Sequence, residues 1–308
     1  MPENTPTVLQ WLRFLRWPNL AIIALTMVLV RWTGMGPLLG NPGVWGVSHL
    51  AFAGMVLATL LIAAAGYVAN DIVDRGIDEI NKPGRVFIGR AMRIEQAWSL
   101  TAGLIVAAAV CLLPLVRQVG FYWWMTLYPV SAVLLIAYAF RLKCVPVAGN
   151  VVVSLLSAFV PLLVLSADRP ALAASNLAPG TALISGFALF AFLASLFREV
   201  VKDLEDVSGD EVFGCRTLAV IARDRANLVA QGAAVMLLVA VLAFLVMWPL
   251  GGWLAWLIGV VGVGMPTGVA LVRVRAARMP AEYARVSLLA KLTMLGGLLM
   301  LPALSGAV

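Results

Sequence analysis

Long apolar runs recur along the whole chain with only short polar loops between them, and no other feature limits the fold as strongly. Hydrophobic residues make up 62% of the 308 residues and charged residues 12%, against roughly 25% charged residues in soluble domains. A membrane-spanning helix needs about 20 mostly apolar residues, and these runs are too long and too uniformly apolar for strands of a membrane β-barrel. We therefore predict an all-α integral membrane protein, one membrane domain over residues 1–308, with nine transmembrane helices. The predicted spans are 18–36, 47–69, 97–116, 120–140, 146–166, 180–198, 226–249, 252–272 and 284–305.

The basic residues fall almost entirely on one side of these spans. If the N-terminus is cytoplasmic, the cytoplasmic segments carry 18 of the 22 Lys and Arg residues. Short cytoplasmic loops of membrane proteins are enriched in Lys and Arg. We therefore predict a cytoplasmic N-terminus, an outer C-terminus and location in the cell membrane. This topology also accounts for the net charge of +7, so we expect membrane lipids and no nucleic acid as partners.

The three cysteines, Cys111, Cys144 and Cys215, lie far apart in the sequence. Two of them fall in loops that we place in the cytoplasm, where thiols are normally kept reduced. The sequence therefore predicts neither a disulfide framework nor a cysteine metal site.

Two cytoplasmic loops, at about 70–95 and 199–225, repeat one arrangement of aspartates. In each loop the aspartates stand at positions i, i+3 and i+7, at the cytoplasmic end of an apolar run. Carboxylates at this spacing share one face of a helix and repel one another unless a cation lies among them. Hard oxygen ligands with no nearby His or Cys suit Mg²⁺, which commonly shares its coordination shell with substrate phosphates. The first aspartate motif is Asp71, Asp74 and Asp78, and the second is Asp203, Asp206 and Asp210.

A single motif of this kind would be explained well enough as a solvated helix end. Two copies, 132 residues apart and at equivalent membrane positions, favour a functional repeat instead. We predict that the two acidic faces meet on the cytoplasmic side and bind a diphosphate through Mg²⁺.

Basic side chains stand beside both motifs and predict contacts to phosphate oxygens. Lys82 and Arg85 follow the first motif, Arg198 and Lys202 precede the second, and Lys143 follows the fourth span. The alternative for each is a topological anchor at the membrane surface.

Amides and tyrosines at the span ends are further candidates for substrate binding. Asn19 opens the first span, Asn70 precedes the first motif and Asn150 opens the fifth span. Tyr67 and Tyr138 lie just inside the membrane near the motifs, where an aromatic face stabilises a developing allylic cation. The competing explanation for the amides is helix capping. For the tyrosines it is the aromatic belt at the membrane interface.

At these positions the sequence resembles the UbiA superfamily of intramembrane prenyltransferases, over nearly the whole chain. The matching residues are Asn70-Asp71-x-x-Asp74-x-x-x-Asp78, Asn81-Lys82-Pro83-x-Arg85, Tyr138, Leu142-Lys143-x-x-Pro146, Gly149-Asn150 and Lys202-Asp203-x-x-Asp206-x-x-x-Asp210.

The resemblance implies nine helices around a central cavity open to lipid. It also implies a catalytic role for the six motif aspartates, which would bind Mg²⁺ and the diphosphate of a prenyl donor. Asn19 and Asn70 would help to hold that group. The lysines and arginine that would contact its phosphate oxygens are Lys82, Lys143, Arg198 and Lys202.

The acceptor is a separate question. The stretch 198–218 resembles the branch of the family that transfers a geranylgeranyl group to the hydroxyl of geranylgeranylglyceryl phosphate, releasing diphosphate. Prenylation of an aromatic acceptor, as in quinone or chlorophyll synthesis, is the alternative. A cation-coupled transporter is a remote alternative, because its acidic groups are expected near the bilayer midplane rather than at helix ends.

Overall fold

The described part of the chain is helical. The computed structural model describes residues 6–39, 45–81, 86–120, 122–173, 177–248 and 252–304. Within these ranges the chain forms fourteen α-helices, with a single isolated bridge between Ile88 and Met92 in place of any strand, as the all-α prediction requires. The helices are α1 (Val8–Phe14), α2 (Trp17–Leu29), α3 (His49–Val73), α4 (Arg75–Asn81), α5 (Ile94–Cys111), α6 (Leu113–Val119), α7 (Leu127–Phe140), α8 (Ala148–Ala173), α9 (Leu177–Val212), α10 (Leu218–Ile221), α11 (Arg223–Met247), α12 (Gly252–Ile258), α13 (Met265–Ala276) and α14 (Pro280–Leu304).

Eight helical segments of the described chain are long and apolar enough to cross a membrane, and each overlaps one predicted span. The fourth predicted span corresponds to α7, which has only 14 residues. It begins later than expected because Gly120, at φ 71°, ends α6, and the 3₁₀ turn Trp123–Thr126 precedes α7. The eight segments are Trp17–Met35, His49–Val73, Ile94–Val119, Ala148–Ala171, Pro179–Val212, Arg223–Met247, Gly252–Ala276 and Pro280–Leu304.

Local sequence sets where several helices begin. Thr7 and Gln10 form a reciprocal capping box at the start of α1, and the hydroxyl of Ser48 accepts a hydrogen bond from the Ala51 amide at 3.2 Å to cap α3. Such side chains satisfy amide groups that have no partner within the helix. Polar residues in the loops thus define helix starts that the apolar pattern alone places only approximately.

The residues fall into two compact units. The first comprises Met1–Leu25, Val47–Val145 and Ser208–Cys215. In it α3 packs against α5 and α7, and Gly54 of α3 lies so close to the carbonyl oxygen of Cys111 that no Cβ fits between them. Small residues allow this close approach of helices in membranes.

Aromatic stacking places α1 in the first unit. Phe14 is buried and its ring stacks on Phe87 at a centroid distance of 4.5 Å, while Trp11 meets the edge of Phe87 at 5.1 Å. The chain leaving α1 therefore reaches the start of α2 at a defined place, with Arg16 between the two helices.

The prediction of no disulfide is wrong for one pair of cysteines. Cys144 and Cys215 form a disulfide in the first unit, with their Cα atoms 4.5 Å apart, and Cys111 is free. The two residues are 71 positions apart in sequence, so only tertiary packing brings them together, because the loop after α7 and the segment after α9 belong to the same unit.

The second unit comprises Thr26–Gly46, Pro146–Val207 and Arg216–Val308. Its core includes the fully buried side chains of Phe197 and Tyr283. The Asn227 amide of α11 donates to the Val274 carbonyl oxygen at 2.8 Å, and the Tyr283 hydroxyl donates to the Ala277 carbonyl oxygen at 2.9 Å. These bonds satisfy the C-terminal carbonyls of α13, which are otherwise unpaired at a helix end.

A buried ion pair joins two segments of the second unit. Arg31 and Asp168 are both fully buried, with Nε and Oδ2 3.0 Å apart. The guanidinium also lies 4.7 Å from the centre of the Trp45 ring. The pair keeps the Arg31 charge compensated inside the protein, where an unpaired charge would be costly.

The contact between α14 and the π-helical segment Gly259–Gly264 predicts a sensitive position. A Cβ on Gly296 would overlap the carbonyl oxygen of Gly262, whereas a Cβ on Gly268 would meet no atom within 4 Å. We expect Gly296→Ala to destabilise the protein by about 1–3 kcal/mol and Gly268→Ala to leave it unchanged or slightly more stable. Thermal unfolding in detergent, followed by tryptophan fluorescence, measures both; equal melting temperatures for the two variants would contradict the close contact.

Candidate active site

The first aspartate motif lies where α3 ends and α4 begins. Asp71 is in the last turn of α3, Asp74 follows its last residue, and Asp78 lies in α4. The expectation of a single helix is wrong for this motif, because the helix is interrupted at Asp74 and the three aspartates are divided between α3, Asp74 and α4.

Two cations from elsewhere in the first unit contact this motif. Arg16 Nη2 donates to Asp71 Oδ1 at 2.5 Å, and the Lys143 ammonium pairs with Asp74 Oδ1. The Asn70 amide donates to the other oxygen of Asp74 at 2.6 Å. Lys143 and Asn70, both predicted site residues, therefore contact the first motif.

Arg16 is a site residue that the sequence predictions missed. Desolvation lowers its pKa, but the charge of Asp71 and the hydrogen bond to it raise the pKa by more, so the guanidinium stays charged. Its Cζ lies 5.1 Å from the centre of the Tyr67 ring, which also brings Tyr67 to the site. The sequence offered one clue to Arg16, which lies three residues before the predicted site residue Asn19. In the structure the Asn19 backbone amide donates to the Arg16 carbonyl oxygen at 2.8 Å.

The second aspartate motif lies entirely within α9. Because α9 is helical from Leu177 to Val212, Asp203, Asp206 and Asp210 share one face, as predicted. The Asn150 amide, in the first turn of α8, donates to Asp203 Oδ2 at 2.8 Å. Asn150, a predicted site residue, therefore contacts this motif within the second unit.

The end of the second motif belongs to the same compact unit as the first motif. The Gly209 amide donates to Asn81 Oδ1 at 2.9 Å, and a Cβ on Gly76 would lie 2.5 Å from the Phe213 ring. These contacts, together with the Cys144–Cys215 disulfide, hold the segment that contains Asp210 within the first unit, beside α4.

The remaining predicted residues are distributed as follows. Arg198 pairs with its neighbour Glu199. Lys202, within α9, and Tyr138, in the last turn of α7, are half-buried. Lys82 and Arg85 lie outside the described residues.

The donor atoms of the first motif fit Mg²⁺. Asn70 Oδ1 is buried and has no hydrogen-bond partner within the described part of the chain, so a hard oxygen atom stands available beside two carboxylates. No group of three or more His, Cys, Asp or Glu side chains among the described residues converges closely enough to bind a metal by itself. Mg²⁺ commonly takes only one or two protein carboxylates and completes its shell with water and substrate phosphate.

Known proteins resemble this chain in sequence. A profile described as the UbiA prenyltransferase family matches residues 20–295. Digeranylgeranylglyceryl phosphate synthase from Methanoregula boonei is 33% identical over 216 residues, which is 68% of this chain and 70% of that protein. The protein of the same name from Hyperthermus butylicus is 32% identical over 71% of this chain and 70% of its own length. In the relative of that name from Sulfolobus acidocaldarius, 38% identical, the match covers only 58% of its length.

Solved structures show the same fold. A structure from a study of digeranylgeranylglyceryl phosphate synthase in membranes superposes with a TM-score of 0.69 at 20% identity, over 97% of this chain and 98% of that one. A UbiA homologue from Archaeoglobus fulgidus, bound to GPP and Mg²⁺, gives a TM-score of 0.59 at 13% identity, over 95% and 99% of the two chains. With the family profile covering most of its length, the chain belongs to the UbiA prenyltransferase family.

Proposed function

We propose that this prenyltransferase moves a geranylgeranyl group from its diphosphate to the hydroxyl of geranylgeranylglyceryl phosphate, with Mg²⁺ as cofactor. The observation that carries the proposal is the arrangement of charge at the first motif. Arg16 and Lys143 contact its carboxylates beside the orphaned Asn70 oxygen. An arrangement of anions and cations side by side suits a ligand that is itself a metal-bound polyanion.

The likeness to known proteins supports each part of the substrate assignment. The relatives named digeranylgeranylglyceryl phosphate synthase are 32–38% identical to this chain, which favours a glycerophosphate acceptor. Structural neighbours from Archaeoglobus fulgidus contain GPP or DMAPP together with Mg²⁺, which favours a prenyl diphosphate donor. Prenylation of an aromatic acceptor has no comparable support.

The chain's own residues account for binding. We infer that Asp71, Asp74 and Asp78 of the first motif and Asp203, Asp206 and Asp210 of the second hold the metal ions, whose chemistry is to neutralise the diphosphate charge. Arg16, Lys143 and Lys202 bind phosphate oxygens, and Asn150 orients Asp203, to which it donates a hydrogen bond.

Charge stabilisation of the departing diphosphate weakens the bond from C1 of the prenyl group to oxygen. Tyr67, whose ring already lies against the Arg16 guanidinium, offers an aromatic face to positive charge at that carbon. Apolar surroundings exclude water that would otherwise capture the allylic cation. The acceptor hydroxyl then forms the ether bond to C1.

The first prediction concerns the motif aspartates. Asp71→Asn and Asp203→Asn each remove one negative charge from a motif, and we expect either change to lower transfer at least about 100-fold. Asp224→Asn, an exposed aspartate at the start of α11, is the matched control and should retain full activity. Product formation from labelled geranylgeranyl diphosphate measures the rates. Mg²⁺-dependent turnover in Asp71→Asn or Asp203→Asn at the control rate would contradict the proposed role.

The second prediction concerns the acceptor. We expect purified enzyme with geranylgeranyl diphosphate and Mg²⁺ to convert geranylgeranylglyceryl phosphate to its second ether, identified by mass, and to release diphosphate. 4-Hydroxybenzoate and a chlorophyllide are the aromatic controls. Transfer to an aromatic acceptor, with none to the glycerophosphate, would support the alternative function. Substrate uptake into vesicles without release of diphosphate would support a transporter.

We also propose that the chain crosses the cell membrane nine times, with the N-terminus and both aspartate motifs on the cytoplasmic side. The eight long apolar helices support an integral membrane protein. The cytoplasmic excess of Lys and Arg supports the orientation. In this arrangement α7 is a crossing helix despite its 14 residues.

The third prediction tests this topology with Arg117 and Arg225, both exposed. In a variant without native cysteines, we expect Arg117→Cys to react with a membrane-impermeant maleimide in intact cells, and Arg225→Cys to react only after lysis. The two positions lie on opposite sides only if α7 crosses the membrane. If both cysteine variants were labelled in intact cells, α7 would not cross the membrane.

A further inference from the structure

A polar stripe runs along α9 from the second aspartate motif into the apolar part of the helix. Ser195, Glu199 and Asp203 follow one another at intervals of four residues and so share one face. Ser195 is 3% exposed and Glu199 is 6% exposed. A buried carboxylate one turn further into a membrane span than the motif itself is costly, so it requires an explanation.

Contacts between α8 and α9 flank Glu199 on both sides. On one side the Asn150 amide donates to Asp203 at 2.8 Å, and on the other the Ser157 hydroxyl donates to the Ser195 hydroxyl oxygen at 3.1 Å. These two hydrogen bonds join α8 and α9 at this level, and interhelical polar contacts of this kind are common in membranes.

Within the described residues, Glu199 itself makes no such contact between helices. Its ion-pair partner is Arg198, the preceding residue of the same helix, whose side chain is 20% exposed. A pair between sequence neighbours holds no separate elements of the fold together. A buried ion pair usually joins separate segments of a fold, as Arg31 and Asp168 do in the same unit. The pair of Glu199 with Arg198 has no such role.

We propose that Glu199 is a catalytic residue, the general base that accepts the proton of the acceptor hydroxyl; this rests on the proposed function. One helical turn, about 6 Å, separates Glu199 from Asp203 along α9. A donor whose diphosphate is bound at Asp203 directs its C1 and prenyl chain toward the apolar part of the span, and the attacking hydroxyl must approach C1. Glu199 lies at that depth.

The step balances without any further reactant. The acceptor oxygen forms a bond to C1, the bond from C1 to the diphosphate oxygen breaks, and its electron pair leaves with the diphosphate. The hydroxyl proton passes to the Glu199 carboxylate. A neutral alcohol that attacks without a base becomes a strongly acidic oxonium ion, so a carboxylate within reach lowers the barrier, typically by a factor of 10²–10⁴ in rate.

The test compares Glu199→Gln and Glu199→Asp with Glu211→Gln, which changes an exposed glutamate of the same helix. Each enzyme is assayed with geranylgeranyl diphosphate, Mg²⁺ and either geranylgeranylglyceryl phosphate or its thiol analogue at pH 8.5. We expect Glu199→Gln to lower kcat for the hydroxyl acceptor at least about 100-fold, with donor Kd unchanged. Glu199→Asp should recover part of the rate, and Glu211→Gln should behave as wild type.

The thiol analogue separates a base from a structural residue. Near pH 8.5 a thiol is ionised to a far greater extent than an alcohol and depends much less on a base, so Glu199→Gln should use the thiol analogue within about tenfold of the wild-type rate. An equal loss with both acceptors, or a weakened donor Kd, would overturn the role as a base. Full hydroxyl activity in Glu199→Gln would overturn it as well. If wild type uses neither glycerophosphate compound but prenylates an aromatic acceptor, the proposed function fails instead.

Discussion

The site depends on one constraint, which is that negatively charged side chains at the edge of an apolar environment must be neutralised by nearby cations. Asp71 and Asp74 lie at the end of a long apolar helix, where the dielectric falls and repulsion between carboxylates grows. Arg16 and Lys143 meet them from the start of α2 and the end of α7. The positions of three helix ends in the first unit are therefore tied to the same small group of charges.

This arrangement also explains why the site suits a metal-bound polyanion. Under the proposed function, the cations that neutralise the aspartates would also bind the phosphate oxygens of a diphosphate held by Mg²⁺. The buried Asn70 oxygen, without a hydrogen-bond partner in the described structure, would then take a ligand contact. Binding would exchange one set of charge pairs for another, rather than bury new charge.

Helix α9 carries the second aspartate motif. Asp203, Asp206 and Asp210 share a face of this one continuous helix. The Gly209–Asn81 hydrogen bond and the Cys144–Cys215 disulfide anchor its end. The proposed base, Glu199, lies on the same helix, so the spacing between metal ligand and base is set by helix geometry.

The sequence alone determined the helical membrane class, the places of the long spans and the two aspartate motifs, because apolar run length and charge spacing are local properties. Tertiary structure alone decided that Arg16 pairs with Asp71, that Arg31 is buried against Asp168, that Cys144 meets Cys215, and that the helix breaks at Asp74. Pairs separated by 55, 137 or 71 residues leave no periodic trace in the chain. They arise only when packing brings distant helix ends together and unpaired charge in that environment becomes costly.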